Sequence, residues 1–251
     1  MDYTQHLLLF VIAVIANWFS ALAGGGAGLI QLPILIFMGL PFSLALATHK
    51  VATVALGVGA TVRHLKEKHS SIRLLVLIVA AGIPGVIAGA YFIIDVENRH
   101  AEIVLGLLTL SLAFYSIMKP NLGLEGNPLH RDVKGVLIGA LGLFIIGLAN
   151  GALSAGSGLF VTLWLVLWFG LDYRLAVAHT LIAVGLGWNA SGAITMSLLA
   201  DVKWDWLPAL ILGSLIGGYL GAHSSIKAGN IWIKRSYELV TLVVAIKLLA
   251  G

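Results

Sequence analysis

The chain has 251 residues, of which 59% are hydrophobic and 10% charged, where a soluble domain carries about 25% charged residues. With a mean hydropathy of +1.01 and no cysteine, it is not a soluble globular domain, and it has no disulfide framework, thiolate metal site or cysteine nucleophile. The formal charge of +4 and pI near 9.4 do not point to nucleic acid, because the basic residues fall in short loops between apolar segments, where a membrane protein keeps them.

In chain order the apolar segments read as Leu7 to Ala23, Gly28 to Leu40, Leu44 to Val62, Leu74 to Ile94 and Ile103 to Met118, then Gly135 to Leu153, Leu159 to Leu171, Leu175 to Ala200, Trp206 to Ser224 and Tyr237 to Ala250. These runs are long and continuous, not the alternating stretches of about ten residues that a β-barrel needs. The expected class is therefore an all-α, multi-pass membrane protein. Leu7 to Ala16, followed by Ala21-Leu22-Ala23, has the outline of a signal peptide. Its first six residues hold no Lys or Arg, however, and a similar pattern recurs near residue 150, so it reads as the first membrane segment.

Two of the segments break at matching elbows, AGGGAGL at Ala23 to Leu29 and SAGSGL at Ser154 to Leu159. No Asp, Glu, Lys or Arg occurs from Tyr3 to His49 or from Gly135 to Leu171. Unpaired backbone groups are not tolerated in hydrocarbon, so a break at membrane depth must be buried in protein or line a polar hollow. Gly28 to Leu40 and Leu159 to Leu171 are short for a span and read as candidate half-helices, whose first amides and positive dipole end would face the break.

The same order of signals occurs twice. Gly26, Gly28 and Leu29 recur 130 residues on as Gly156, Gly158 and Leu159, and Gly85 and Gly89 recur 132 residues on as Gly217 and Gly221. This predicts two homologous halves, 1–122 and 133–251, with a connector at 123–132. Counting each broken segment as one crossing leaves the basic residues almost evenly divided between the faces. Counted as two, Arg63, Lys66, Lys68, Arg73, Lys119, Arg131, Lys134, Arg174, Lys227, Lys234 and Arg235 share one face against Arg99 and Lys203. The second count obeys the positive-inside bias. It makes the halves inverted-topology repeats with broken or re-entrant first segments, five segments in each, and places the termini outside.

Lys50 is the one charged residue well inside an apolar run, since Lys247 can snorkel near the C-terminus. It is the candidate counter-charge for an anion, unless its helix starts late and leaves it at an interface. The candidate solute-binding set comprises the elbow residues Gly24, Gly25, Gly26, Gly28, Ser154, Gly156, Ser157 and Gly158, with Gln31, Thr48, His49, Lys50, Asn150, His179, Thr180 and Asn189. The two histidines are also candidate proton carriers. The pairs Gly85/Gly89, Gly135/Gly139 and Gly217/Gly221 read instead as close helix packing. Every Asp and Glu is expected in a loop or at a segment edge, which disfavours a cation pump. There is no P-loop, HExxH or GxSxG motif, and neither an enzyme activity, a metal nor a cofactor is expected.

The stretches AGGGAGLIQLPIL, GLPFSLALATHK, RHLKEKHSSIR and SAGSGLFVTLWLVLWFGLDYRLAVAHT resemble the TauE/SafE sulfite exporter family over nearly the whole chain. The resemblance implies an inner-membrane permease of two related halves that moves a small anion, often a sulfur oxyanion such as sulfite or a sulfonate such as sulfoacetate. Gly24, Gly25, Gly26, Gly28, Thr48 and Lys50 match the first-half pattern, and Gly156, Gly158, His179 and Thr180 the second. The second elbow is poorer in glycine, and Leu181 stands where the lysine would recur, so the half-sites are not equivalent. The partners expected are a small anionic solute, the lipid bilayer and conceivably further copies of the chain. The alternatives are an anion channel on the same residues and, disfavoured by the lack of paired acid and base groups, a membrane enzyme or non-transporting assembly subunit. The topology is checked by reporter fusions: one at Glu125 is expected inside and one at Lys203 outside, and the reverse pair of locations would refute it.

Overall fold

The computed structural model describes residues 3–67, 71–92, 98–154 and 156–250. Lys68, Ile94 and Ala155 of the second elbow lie outside the described residues, as does the side chain of Arg99. Among the described residues eleven α-helices are seen: α1 (Tyr3–Ala23), α2 (Ala27–Phe37), α3 (Phe42–His64), α4 (Ile72–Phe92), α5 (Asn98–Met118), α6 (Val133–Leu153), α7 (Ser157–Leu167), α8 (Tyr173–Ile182), α9 (Asn189–Leu199), α10 (Leu207–Ala228) and α11 (Asn230–Ala250). A π-helical turn, Ala183–Trp188, joins α8 and α9 into one rod, which no periodicity in the sequence announces. Six helical stretches among the described residues are long and apolar enough to cross a membrane. The chain is a multi-pass membrane protein.

The half-helices α2 and α7 have 11 residues each, about 16 Å, or half the thickness of a bilayer's hydrocarbon core. Each returns the chain to the end of the bundle it came from. α1 starts beside Asp205, whose carbonyl lies 3.1 Å from His6 Nε2, and α2 leads back to Leu40, which packs in one apolar cluster with Val202 and Leu207. At the other end, α6 follows His130, and α7 returns to it: His130 Nδ1 lies 2.7 Å from the Trp168 carbonyl, and the Asn127 amide donates to Gly170 O at 2.8 Å. The broken segments are therefore re-entrant hairpins entering from opposite ends.

The end holding the α6–α7 hairpin is the basic one. Arg174 at the start of α8 meets Glu67 beyond α3 at 2.9 Å, and its amide donates to Asn230 at the start of α11. The Tyr173 amide donates to Gly123 of the connector at 2.8 Å. α11 begins seven residues before the apolar run at Tyr237, which corrects one expectation. Glu238 is not at a helix edge but two turns in, held 2.8 Å from Lys234 on the preceding turn and accepting from Ser116 Oγ at 2.8 Å. The pair neutralises itself across one helical turn, so the shorter apolar run hid it.

Helices of the first half pack mainly on helices of the second: α1 on α10, α4 on α6 and α5 on α11. Glycine permits the closest of these approaches. A Cβ on Gly217 or Gly221 of α10 would stand 2.4 or 2.3 Å from the carbonyl oxygens of Val14 and Trp18, and one on Gly89 of α4 would stand 2.0 Å from Leu148 O. Backbone against backbone cannot yield as a side chain can. Gly89→Val is therefore expected to destabilise the bundle by about 1–3 kcal/mol or more, read as a lower melting temperature and loss of the monodisperse peak in detergent; an unchanged melt would contradict the α4–α6 packing.

Candidate functional site

Both elbows are made by backbone in the left-handed region. Gly24, Gly25 and Gly26 have φ of 87°, 149° and 102°, and Ser154 and Gly156 have 57° and 74°. The turn of α1 is closed by the amides of Gly24 and Gly25 donating to the Ser20 carbonyl at 2.9 and 2.7 Å, and that of α6 by the Ser154 amide donating to Asn150 O at 3.0 Å. The elbows lie against each other. A Cβ on Gly25 would stand 2.5 Å from the carbonyl carbon of Gly158, and one on Gly158 would stand 2.8 Å from Gly25 Cα. Thr162 of α7 ties the pair, donating from Oγ1 to Gly24 O at 2.8 Å, and its hydroxyl shares a hydrogen bond with Thr180 of α8 at 3.0 Å.

Between the elbows is a cavity of about 40 Å³, lined by Ser20, Gly25 to Gly28, His49, Thr53, Leu56, Asn150, Ser154, Ser157, Gly158, Thr180, Leu181, Val184, Gly185 and Asn189. α2 and α7 both start at its wall, and neither has a side chain capping its N-terminus, whereas α8 has Asp172 accepting from the Leu175 amide. Two positive dipole ends with uncapped first turns therefore converge on one small space. Among the described residues no carboxylate lines it. His49 is 1% exposed, and its Nδ1 has no hydrogen-bond partner among the described residues. The cavity sits at mid-height: His49 to Leu56 are midway along α3, and Val240 and Val244 of α11 lie 3.4 and 3.7 Å from where a Cβ of Gly26 or Gly156 would stand.

Lys50 is fully buried and does not line the cavity. Its Nζ donates to the backbone carbonyl of Asn150 at 2.6 Å and to Asn150 Oδ1 at 2.8 Å. The amide of Asn150 is thereby turned so that Nδ2 donates to Ser157 Oγ at 2.7 Å, on the first turn of α7. No carboxylate pairs with Lys50 among the described residues, and its ammonium is one side chain away from the cavity. A buried charge without an opposite partner is costly, and an anion held beside it relieves that cost.

Of the residues singled out in the sequence, Gly25, Gly26, Gly28, His49, Asn150, Ser154, Ser157, Gly158, Thr180 and Asn189 meet around the cavity. The other six do not line it. Gly24 offers its carbonyl to Thr162, and Gly156 precedes the first turn of α7. Gln31 accepts from Asn17 Nδ2 at 3.0 Å inside the α1–α2 hairpin. Thr48 Oγ1 donates to Leu44 O and accepts from the Lys203 amide. His179 Nε2 accepts from the Ser71 amide at 2.9 Å, which leaves Nδ1 to donate to Leu175 O at 2.7 Å; both ring nitrogens are engaged. The sequence did not single out Leu56, Val184 and Gly185, apolar or small residues brought in by the pairing of α3 with the π turn, nor Thr162; Leu181, noted only as the missing lysine, lines the cavity too.

A matched pair of substitutions separates strain from crowding. Gly39 has φ 98° with nothing within 4 Å of an added Cβ, while Gly25 is both strained and blocked by α7. Gly39→Ala is expected to cost about 1–2 kcal/mol and Gly25→Ala distinctly more in thermal melts of the purified protein; equal losses would show that the elbows do not meet.

The sulfite exporter TauE/SafE family profile matches residues 9–248. The chain is 28% identical to the probable membrane transporter protein ORF9 of Sinorhizobium sp., covering 99% of this chain and 95% of that protein. It is 26% identical to the probable membrane transporter protein YfcA of Escherichia coli K12, over 96% of this chain and 88% of the relative. A probable membrane transporter protein of Haemophilus influenzae is also 26% identical, over 99% and 96%. No solved structure matches. A bundle of membrane-spanning helices around a cavity lined in part by polar groups accords with these likenesses, and the chain belongs to the TauE/SafE sulfite exporter family, a family of membrane transporters.

Proposed function

We propose that the chain is a secondary transporter of a small anion, held at mid-membrane between the two elbows, in a cell's inner membrane. One observation carries this reading: two uncapped helix N-termini face a single cavity that has no carboxylate, backed by a buried lysine that has no acidic partner among the described residues. Amide N–H groups, hydroxyls, the Asn150 amide and His49 suit an oxyanion, and the charge of Lys50 acts through Asn150 rather than by contact. The cavity's 40 Å³ is room for about three water molecules. That size favours a compact oxyanion such as sulfite over a sulfonate with an organic tail such as sulfoacetate, for which the cavity has to widen.

The opposite entry of the two hairpins supports inverted repeats spanning 1–122 and 133–251. With the hairpins re-entrant, each half contributes three crossings, an odd number, so the second half starts from the other side. Two half-helices that start at one mid-height cavity favour alternating access over a channel.

The reading is tested with purified protein and a panel of sulfite, sulfate, sulfoacetate, acetate and chloride. An anion present at 100 times its dissociation constant stabilises the fold by about 2.7 kcal/mol, seen as a higher melting temperature. Lys50→Met, inserted normally, is expected to lose that stabilisation and the corresponding uptake into proteoliposomes. If the variant still carries every anion that the unaltered protein carries, the assignment fails; unitary currents in planar bilayers would replace it with a channel.

A further inference from the structure

A second hollow, of about 210 Å³, opens at the basic end between the end of α3, the start of α8 and the junction of α10 with α11; among its residues are His64, Glu67, Arg174, Ala178 and Asn230. It stands in line with the elbow cavity. Along α8, Leu181 is in the cavity and Ala178, one turn away, is in the hollow. Along α3, Leu56 is in the cavity and His64, two turns on, is in the hollow, with fully buried Ala60 between them. Only a thin apolar septum separates the two spaces.

The hollow has the chemistry to receive the solute. His64 is 3% exposed, and its Nε2 has no hydrogen-bond partner among the described residues. Beside it a single carboxylate bridges two guanidiniums: Glu67 Oε1 accepts from Arg63 Nη1 at 2.8 Å, and Oε2 accepts from Arg174 Nη2 at 2.9 Å. Arg63 also donates through Nε to His223 Nδ1 of α10 at 3.0 Å. Glu67 therefore fastens the end of α3, in the first half, to the start of α8, in the second. Asp172, the other acid at this hollow, has one oxygen on the Leu175 amide.

We propose that this hollow is a second station for a small oxyanion on the route between the elbow cavity and the basic end, and that Glu67 is the latch across it. An oxyanion that reaches Arg174 and His64 replaces the Glu67 carboxylate on Arg174. The tie between α3 and α8 is then released, and the septum at Leu181 can part. This rests on the transport reading above and adds to it a route and the residue that closes it.

The chain has no cysteine, so single-cysteine variants of the full chain report access cleanly. Ala178→Cys and Leu181→Cys, in membrane vesicles exposing the basic end, are treated with 2-sulfonatoethyl methanethiosulfonate, a membrane-impermeant sulfonate. Ala178→Cys is expected to react and to be protected by sulfate or sulfoacetate, which, unlike sulfite, do not consume the reagent, with the protection lost on adding His64→Gln. Leu181→Cys is expected to react at least ten times faster once Glu67→Gln is added, and Arg174→Gln, which removes the other side of the same bond, is expected to do the same. The latch is overturned if neither substitution changes the Leu181→Cys rate in protein that still elutes as a single species, and the station is overturned if these anions protect Leu181→Cys but not Ala178→Cys. Labelling reads access and not transport: acceleration by Glu67→Gln with no anion of the panel protecting Leu181→Cys keeps the latch and counts against the elbow cavity as an anion site.

Discussion

The structure depends on one constraint: a helix that stops inside an apolar layer must find partners for the amides it frees. The chain meets it by breaking twice at one place. Gly25 lies on Gly158 with no room for a side chain on either, and Thr162 bonds the carbonyl of Gly24 across the contact. Each elbow thus shields the other from hydrocarbon. The first turns of α2 and α7, which no side chain caps, are left facing the small space between them. The space is a by-product of satisfying the backbone, and the proposal that it takes a negative charge rests on those two helix starts.

The two half-sites are not copies. On one side Lys50 holds Asn150, and Asn150 in turn holds the first turn of α7 through Ser157. The matching position of the other half is Leu181, which lines the cavity as a plain apolar wall. The lysine therefore bears on the cavity from one flank only, through a neutral amide. The rod formed by α8, the π turn and α9 adds a second asymmetry. Its π turn puts Gly185 against Gly57 of α3, backbone to backbone, where the matching stretch of α3 is regular helix. Two helices that touch through glycine have little side-chain interlock to resist sliding.

From the cavity toward the basic end, α3 and α8 are apolar toward each other for a turn or two and then become charged. Arg63, Glu67 and Arg174 join elements from opposite halves of the chain at the end where most basic residues gather. Partly exposed ion pairs of this sort contribute little to stability, which is compatible with the latch proposed for Glu67.

Much was legible in the residues alone. A charge-free run from Tyr3 to His49 has no stable setting except lipid or a large core, and a triple glycine within it has to be a break; both follow from local chemistry. The gathering of basic residues toward one end was also legible in the sequence, because charge distribution is set before packing; the number of crossings was not. What the sequence could not contain were facts about pairs distant in the chain. That Lys50 would meet Asn150 instead of the solute, that both nitrogens of His179 would be occupied by Leu175 and Ser71, and that Glu238 would be matched by Lys234 inside α11 depend on which helix faces which. Composition determined that this chain lives in a membrane and breaks twice there. Only tertiary packing decided that the two breaks meet, since hydrophobicity acts without direction, whereas a hydrogen bond or a Cβ-free contact exists only between particular atoms at a particular separation.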